Sequence, residues 1–314
     1  MKKCIAIIIA LSICIISLTG CGTKASFNLT AQIDQQVIYD QNGVVIKALS
    51  LETKTYKDSG EVFLALNVYA ENNSAIEVLP TIHNISINGI LTCTNQGNFY
   101  LASSSNKDGI NKRNGYFILG YVNDASGSYK YFGDMGITDV SNISFDLVMT
   151  KTDLFDPNTP GKNALSITPI SLQTNIADKY KQEKPNPQGQ VIYDQDNIKI
   201  TTLGLEKDYP NPNEVWCSLL LFVENNSENR IMLKAGAGTK INEVIAQYSA
   251  GWMYPLSTIP PGKCAYIRMR PSFFGVNMSA EVEKMNLIVQ INSLDNKFNV
   301  INTVNAPSVE IKLK

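Results

Sequence analysis

Few residues in this chain have side chains able to do chemistry alone. Of 314 residues, one is histidine (His83) and six are cysteines. A single imidazole makes histidine-based triads and metal sites hard to assemble. His83 stands beside the apolar alternation Ile85-Ser86-Ile87 and reads as a surface or turn residue. The cysteines show no CxxC spacing, which disfavours thiol zinc and redox sites. No phosphate-binding glycine loop, dinucleotide fingerprint, GxSxG elbow or HExxH pair occurs. Asp124, Asp134 and Asp139 could approach a calcium ion but lack the regular spacing of an EF-hand. No catalytic residue, metal site or cofactor is therefore assigned. A glycosidase-type pair of carboxylates needs no sequence proximity, so a hydrolase stays open as the weakest reading.

The one cysteine with a strong local context is Cys21. Met1-Lys2-Lys3 is a short positive start, and Cys4 to Leu18 is an apolar run of 15 residues. That run is short of the about 20 residues a spanning helix needs and suits the core of a signal peptide. It ends in Leu18-Thr19-Gly20-Cys21, which resembles the lipobox of bacterial lipoproteins. The resemblance implies cleavage between Gly20 and Cys21 and acylation of the Cys21 thiol. The implied location is the outer face of a cell membrane, with lipid as the partner at Cys21. Two acyl chains hold a protein on a bilayer where one does so only marginally. On this reading residues 1–20 are the signal and 21–36 a polar tether reaching at most about 50 Å.

The remainder says the same thing twice. Val37-Ile38-Tyr39-Asp40-Gln41 returns as Val191-Ile192-Tyr193-Asp194-Gln195, and Glu71-Asn72-Asn73-Ser74 as Glu224-Asn225-Asn226-Ser227. Ordered matches across some fifty residues indicate a duplicated domain. Residues 37–173 and 191–314 are the copies, and 174–190, with charges, two prolines and a glycine, is the linker. Period-two alternation over Glu61 to Ala70, and again over Val215 to Phe222, predicts strands. Further strands are expected at Ile143–Leu147, Ile167–Leu172, Ala265–Met269, Leu287–Ile291 and Val309–Leu313. The fold class is all-β: two tandem antiparallel β-sandwiches. The pattern is similar to the immunoglobulin-like domains of exported lipoproteins of low-GC Gram-positive bacteria. In both copies the alternation slips parity, at Ala48-Leu49 and at Thr202-Leu203, which predicts a β-bulge at each place.

Candidate ligand contacts are aromatic. The first copy carries about a dozen extra residues, placed in 123–139, with Tyr129, Tyr131 and Phe132 among glycines. The second has Trp252 and Tyr254, and an outward stripe of Tyr266, Arg268 and Arg270 that also carries Cys264. Such residues could stack on sugars or contact a protein, while aromatics also plug the ends of sandwiches. A Cys217–Cys264 disulfide is conceivable outside the cell, although strand parity opposes it. With 27 basic against 28 acidic residues, nucleic acid is not an expected partner. The reading is a membrane-anchored display or binding module for wall polymer, glycan or protein. The alternative is an accessory subunit of an envelope complex.

Overall fold

The computed structural model describes residues 26–99, 101–106, 109–123, 131–155, 163–211, 214–241, 244–245, 258–269, 284–296 and 298–312. These residues form an all-β structure whose regular helices are two 3-10 turns, Gly133–Met135 and Thr152–Leu154. Among them no helix is long and apolar enough to cross a membrane.

The first copy supplies β1 (Gln36–Gln41), β2 (Val44–Thr55), β3 (Val62–Asn72), β4 (Val78–Ile87), β5 (Ile90–Asn98), β6 (Lys112–Asn123), β7 (Asn142–Lys151) and β8 (Ala164–Gln173). The second opens in the same way with β9 (Gln190–Gln195), β10 (Ile198–Asn211) and β11 (Glu214–Asn225). It continues through β12 (Arg230–Ala235), β13 (Lys240–Ile241), β14 (Val244–Ile245), β15 (Thr258–Ile259) and β16 (Lys263–Met269). It ends with β17 (Lys284–Leu287), β18 (Val289–Leu294), β19 (Val300–Asn305) and β20 (Val309–Lys312). The order β1-β2-β3-β6 in the first copy is repeated as β9-β10-β11-β16 in the second.

Local chemistry explains why the copies fold alike. Asn42-Gly43 adopts φ of 53° and 78°, and Asp196-Asn197 adopts 54° and 59°. Two consecutive left-handed residues make the tight hairpin turn whose twist suits the flanking strands. The repeated Glu-Asn-Asn-Ser is explained by its first asparagine, which is fully buried in both copies. Asn72 Nδ2 donates to the carbonyls of Ile76 and Ala102, and its Oδ1 accepts from the Ser74 amide and hydroxyl. Asn225 donates to Asn229 and Ile259 and accepts from the Ser227 amide and hydroxyl. The side chain thus satisfies loop carbonyls where no strand partner reaches them.

Both parity slips are bulges: the β2–β3 register shifts between Ala48 and Ser50, and the β10–β11 register between Thr202 and Gly204. A second shared irregularity was hidden. Asn84, at φ 52°, interrupts β4, and the aligned Gly238, at φ 92°, follows β12. In the second copy the interruption is complete, and one sheet becomes two four-stranded pieces, β15-β12-β18-β19 and β14-β13-β17-β20.

The copies are not beads on a string. The chain forms one eight-stranded sheet, β8-β7-β4-β5-β16-β11-β10-β9, in which β5 and β16 pair in parallel through Ile90–Cys264 and Leu91–Ala265. Each copy inserts side chains into the other's core. Leu91 belongs to the second hydrophobic cluster, whereas Phe222 and Cys264 belong to the first. Beside this seam Arg230 grips Asp146, with Nη1 to Oδ2 at 2.6 Å and Nη2 to Oδ1 at 3.2 Å. Asn84 Nδ2 donates to Asp146 Oδ2 at 2.7 Å, and Thr258 donates from its hydroxyl to Asn84 Oδ1 at 2.7 Å. All four side chains are mostly or wholly buried, so a fork-to-fork pair here is little screened.

Removing one partner leaves a buried charge alone. Asp146→Ala and Arg230→Met are each expected to cost about 3 kcal/mol or more in urea unfolding. The double variant Asp146→Ala/Arg230→Met is expected to lose clearly less than the two single losses combined. Simple additivity would show that the pair does not act as a unit.

Candidate functional site

One cluster of titratable groups is this buried seam, and it contains the lone histidine. His83 lies within β4 and is 3% exposed, which corrects its assignment to the surface. One of its ring nitrogens, Nε2, is 2.9 Å from Thr81 Oγ1. Burial holds its pKa down to about 4, against a smaller opposing pull from Asp146. Thr81, His83 and Asp146 thus come together where β4 pairs with β7, and all three are buried. The cluster reads as a structural lock. An open depression borders it, lined by Glu228, Asn229, Arg230, Leu294, Asp295 and Ile301. The Asp295 carboxylate there accepts from the backbone and side-chain nitrogens of Asn299 and closes a hairpin. Among the described residues no group of three or more His, Cys, Asp or Glu could hold a metal ion.

Of the aromatic candidates, Tyr129, Trp252, Tyr254 and Arg270 lie outside the described residues, as do Gly20 and Cys21. Arg268 lies on β16, paired with Leu220, and Tyr131 is half-buried. Phe132 is fully buried and packs against Phe27 with ring centroids 4.7 Å apart, so it is a core residue and not a ligand contact. With Met135, Ile137 and Val140 it plugs the first core, the use expected of aromatics at a sandwich end. Tyr266 and Cys264 do share a face, but that face is turned against the first copy and not outward. Tyr266 packs on Phe222 at 4.9 Å, and burial raises the Cys264 thiol to about 11, an inert value. Cys264 is unpaired. It faces Glu224, seven positions along β11 from Cys217, or about 23 Å by strand rise, far beyond disulfide reach.

The matching sheet face in the first copy is open. Asn67, Tyr69 and Asn114 stand where the second copy has Leu220, Phe222 and Tyr266. Around them stand exposed Lys47, Ser50 and Lys112, and Tyr116 with 39% of its surface free. The Tyr116 ring stacks at 5.8 Å on buried Phe63, and the Lys54 ammonium sits 5.1 Å from its centroid. Asn67 Nδ2 donates to Ser50 Oγ at 3.0 Å. Glu71 accepts from Lys112 at 2.8 Å, Asn73 at 2.9 Å and Tyr69 at 3.0 Å. The Lys112 ammonium, then the other two donors, hold its carboxyl at about 2. A fixed flat ring among amides, hydroxyls and paired charges can stack on a sugar face and hydrogen-bond its hydroxyls. Tyr116 went unremarked in the sequence because its strand neighbours Gly115 and Gly120 blur the alternation.

No family model matches the chain, and no curated protein matches it. Among solved structures, it is loosely similar to an exo-chitosanase of Amycolatopsis orientalis. Two complexes of that enzyme with PNP-β-D-glucosamine align at 10% and 11% identity, each with TM-score 0.20. They cover 81% of this chain and 26% of that one, so this chain spans about a quarter of the enzyme's length. A likeness this loose bears on neither fold nor activity.

The buried imidazole carries a pH signature. The folded-state pKa of about 4 lies below the ordinary 6.5, so between these values the unfolded chain takes up a proton that the native state refuses. Stability measured by urea unfolding is expected to fall as pH drops from 6.5 towards 4. His83→Gln is expected to flatten that slope. An unchanged slope in the variant would assign it elsewhere.

Proposed function

We propose that this protein is an extracytoplasmic lipoprotein, anchored by acylated Cys21, that displays a rigid pair of immunoglobulin-like repeats for non-catalytic binding. The modules are 37–173 and 191–314, with 174–190 between them. The signal-like start and Leu18-Thr19-Gly20-Cys21 support the anchor. The observation that carries the binding role is the divergence of one duplicated sheet face. In the second copy its Phe222, Cys264 and Tyr266 are spent on docking to the first, whereas in the first copy it is polar, open and centred on Tyr116. A polymer with flat sugar rings suits that surface better than an apolar partner, because each exposed group around the ring is a hydrogen-bonding group. Wall polysaccharide is the ligand class.

The union of the two repeats modifies the mechanism. Avidity from two independent modules on a flexible linker requires each to move alone. Here Lys184 of the connector pairs with Glu224, and the connector's Ile176 packs on the first core. Binding is therefore a property of one face on a stiff body.

Titration of the soluble body with purified wall glycan is expected to give a saturable isotherm, weakened at least tenfold by Tyr116→Ala. In cells, Cys21→Ala is expected to move the protein from the membrane to the soluble fraction. A flat isotherm for the unmodified body removes the glycan reading, and membrane retention without Cys21 removes the lipid anchor.

A further inference from the structure

The stretch between Cys21 and the first strand is not a free tether. Ser26 to Ile33 alternates outward and inward: Phe27, Leu29, Ala31 and Ile33 pack on the first core, while Ser26, Asn28, Thr30 and Gln32 face solvent. The segment is bolted down along its length. The Asn28 amide donates to the Thr138 carbonyl at 2.9 Å. The Asp139 carboxylate accepts from the amides of Thr30 and Ala31 and from the Thr30 hydroxyl. Gln32 and Asn175 exchange two further hydrogen bonds of 2.9 and 3.0 Å. Phe27 closes the end of the strap against Phe132.

The strap's root lies beside the seam. The Thr138 hydroxyl is 3.0 Å from Tyr180 Oη, and Gln182 of the connector donates to the Gly136 carbonyl at 3.0 Å. Asn88 donates to the Asp139 carbonyl and to Gln182 Oε1. The next residue, Gly89, accepts from the Cys264 amide of the second copy at 3.1 Å.

Resting on the lipid-anchor reading above, we infer that the acylated N-terminus holds the body close against the phospholipid surface, by the side that carries the seam. From Cys21 to exposed Ser26 there are five residue steps, at most about 18 Å of extended chain, not the about 50 Å of a free tether to Gln36. The partner surface is the lipid headgroup layer itself. Exposed Lys179 and Lys181 flank the root, but Asp178 and Glu183 are exposed beside them. The balance is even, so chain length and not charge sets the distance, and the fraction of anionic lipid should not change it.

The test is neutron reflectometry of the full-length acylated protein in a supported bilayer, with the acyl state of Cys21 read by mass spectrometry on the same preparation. The expected gap between headgroups and protein layer is below about 20 Å, equal with zwitterionic and anionic lipid. It is expected to widen by at least 10 Å when a flexible 15-residue Gly/Ser segment is inserted after Lys24, or when the strap is released by Phe27→Asp with Asp139→Ala. An acylated protein standing more than about 20 Å from the headgroups, or a gap unmoved by the insertion, overturns this inference and leaves the anchor intact. Absence of acyl groups on Cys21 overturns both.

Discussion

The parallel pairing of β5 with β16 is the constraint around which the rest of the molecule is arranged. It joins only two residue pairs, yet it makes the inner sheets of both copies one continuous ladder. So short a pairing cannot hold two bodies together unaided. Its strength comes from what flanks it: Leu91 buried in one core, Phe222 and Cys264 in the other, and the Arg230–Asp146 pair beside them. Burying charge is costly unless it is paired and hydrogen-bonded, and here Asn84 donates to the carboxylate while the Thr258 hydroxyl accepts from the guanidinium and donates to Asn84.

Duplication followed by unequal burial then accounts for the chemistry of the surface. Equivalent sheet faces began with the same outward parity. The one that became internal carries Phe222, Cys264 and Tyr266, and the one that stayed outside carries Tyr69, Lys112 and Asn114. An apolar patch on the free face would invite a further copy to dock, and its polar groups disfavour that. The same logic applies to the segments preceding each copy. Residues 27–33 offer four inward apolar groups and strap the first core, whereas the aligned connector stretch is charged and proline-rich and lies over the junction instead.

The sole histidine shows how context reverses a residue's meaning. By type it is the group most ready to titrate near neutrality. Inside β4, with Thr81 for a partner, it is kept neutral and serves packing. Asp139, which by type could serve a cation, instead spends its oxygens on the backbone of the strap.

Much of the architecture was legible in the residues themselves. Alternation revealed the strands, the repeated pentapeptide and tetrapeptide revealed the duplication, and the matched parity slips located both bulges, because each of these is a local property of the backbone and its pleat. The strap was equally legible, since Phe27, Leu29, Ala31 and Ile33 alternate plainly, but a polar composition around them disguised it as a tether. What only the tertiary structure decided is which faces are interior. Parity tells that Cys264 and Tyr266 share a side, and not whether water or another sheet lies over it. Strand pairing between distant segments depends on long-range register and on mutual burial, which no short window of sequence contains.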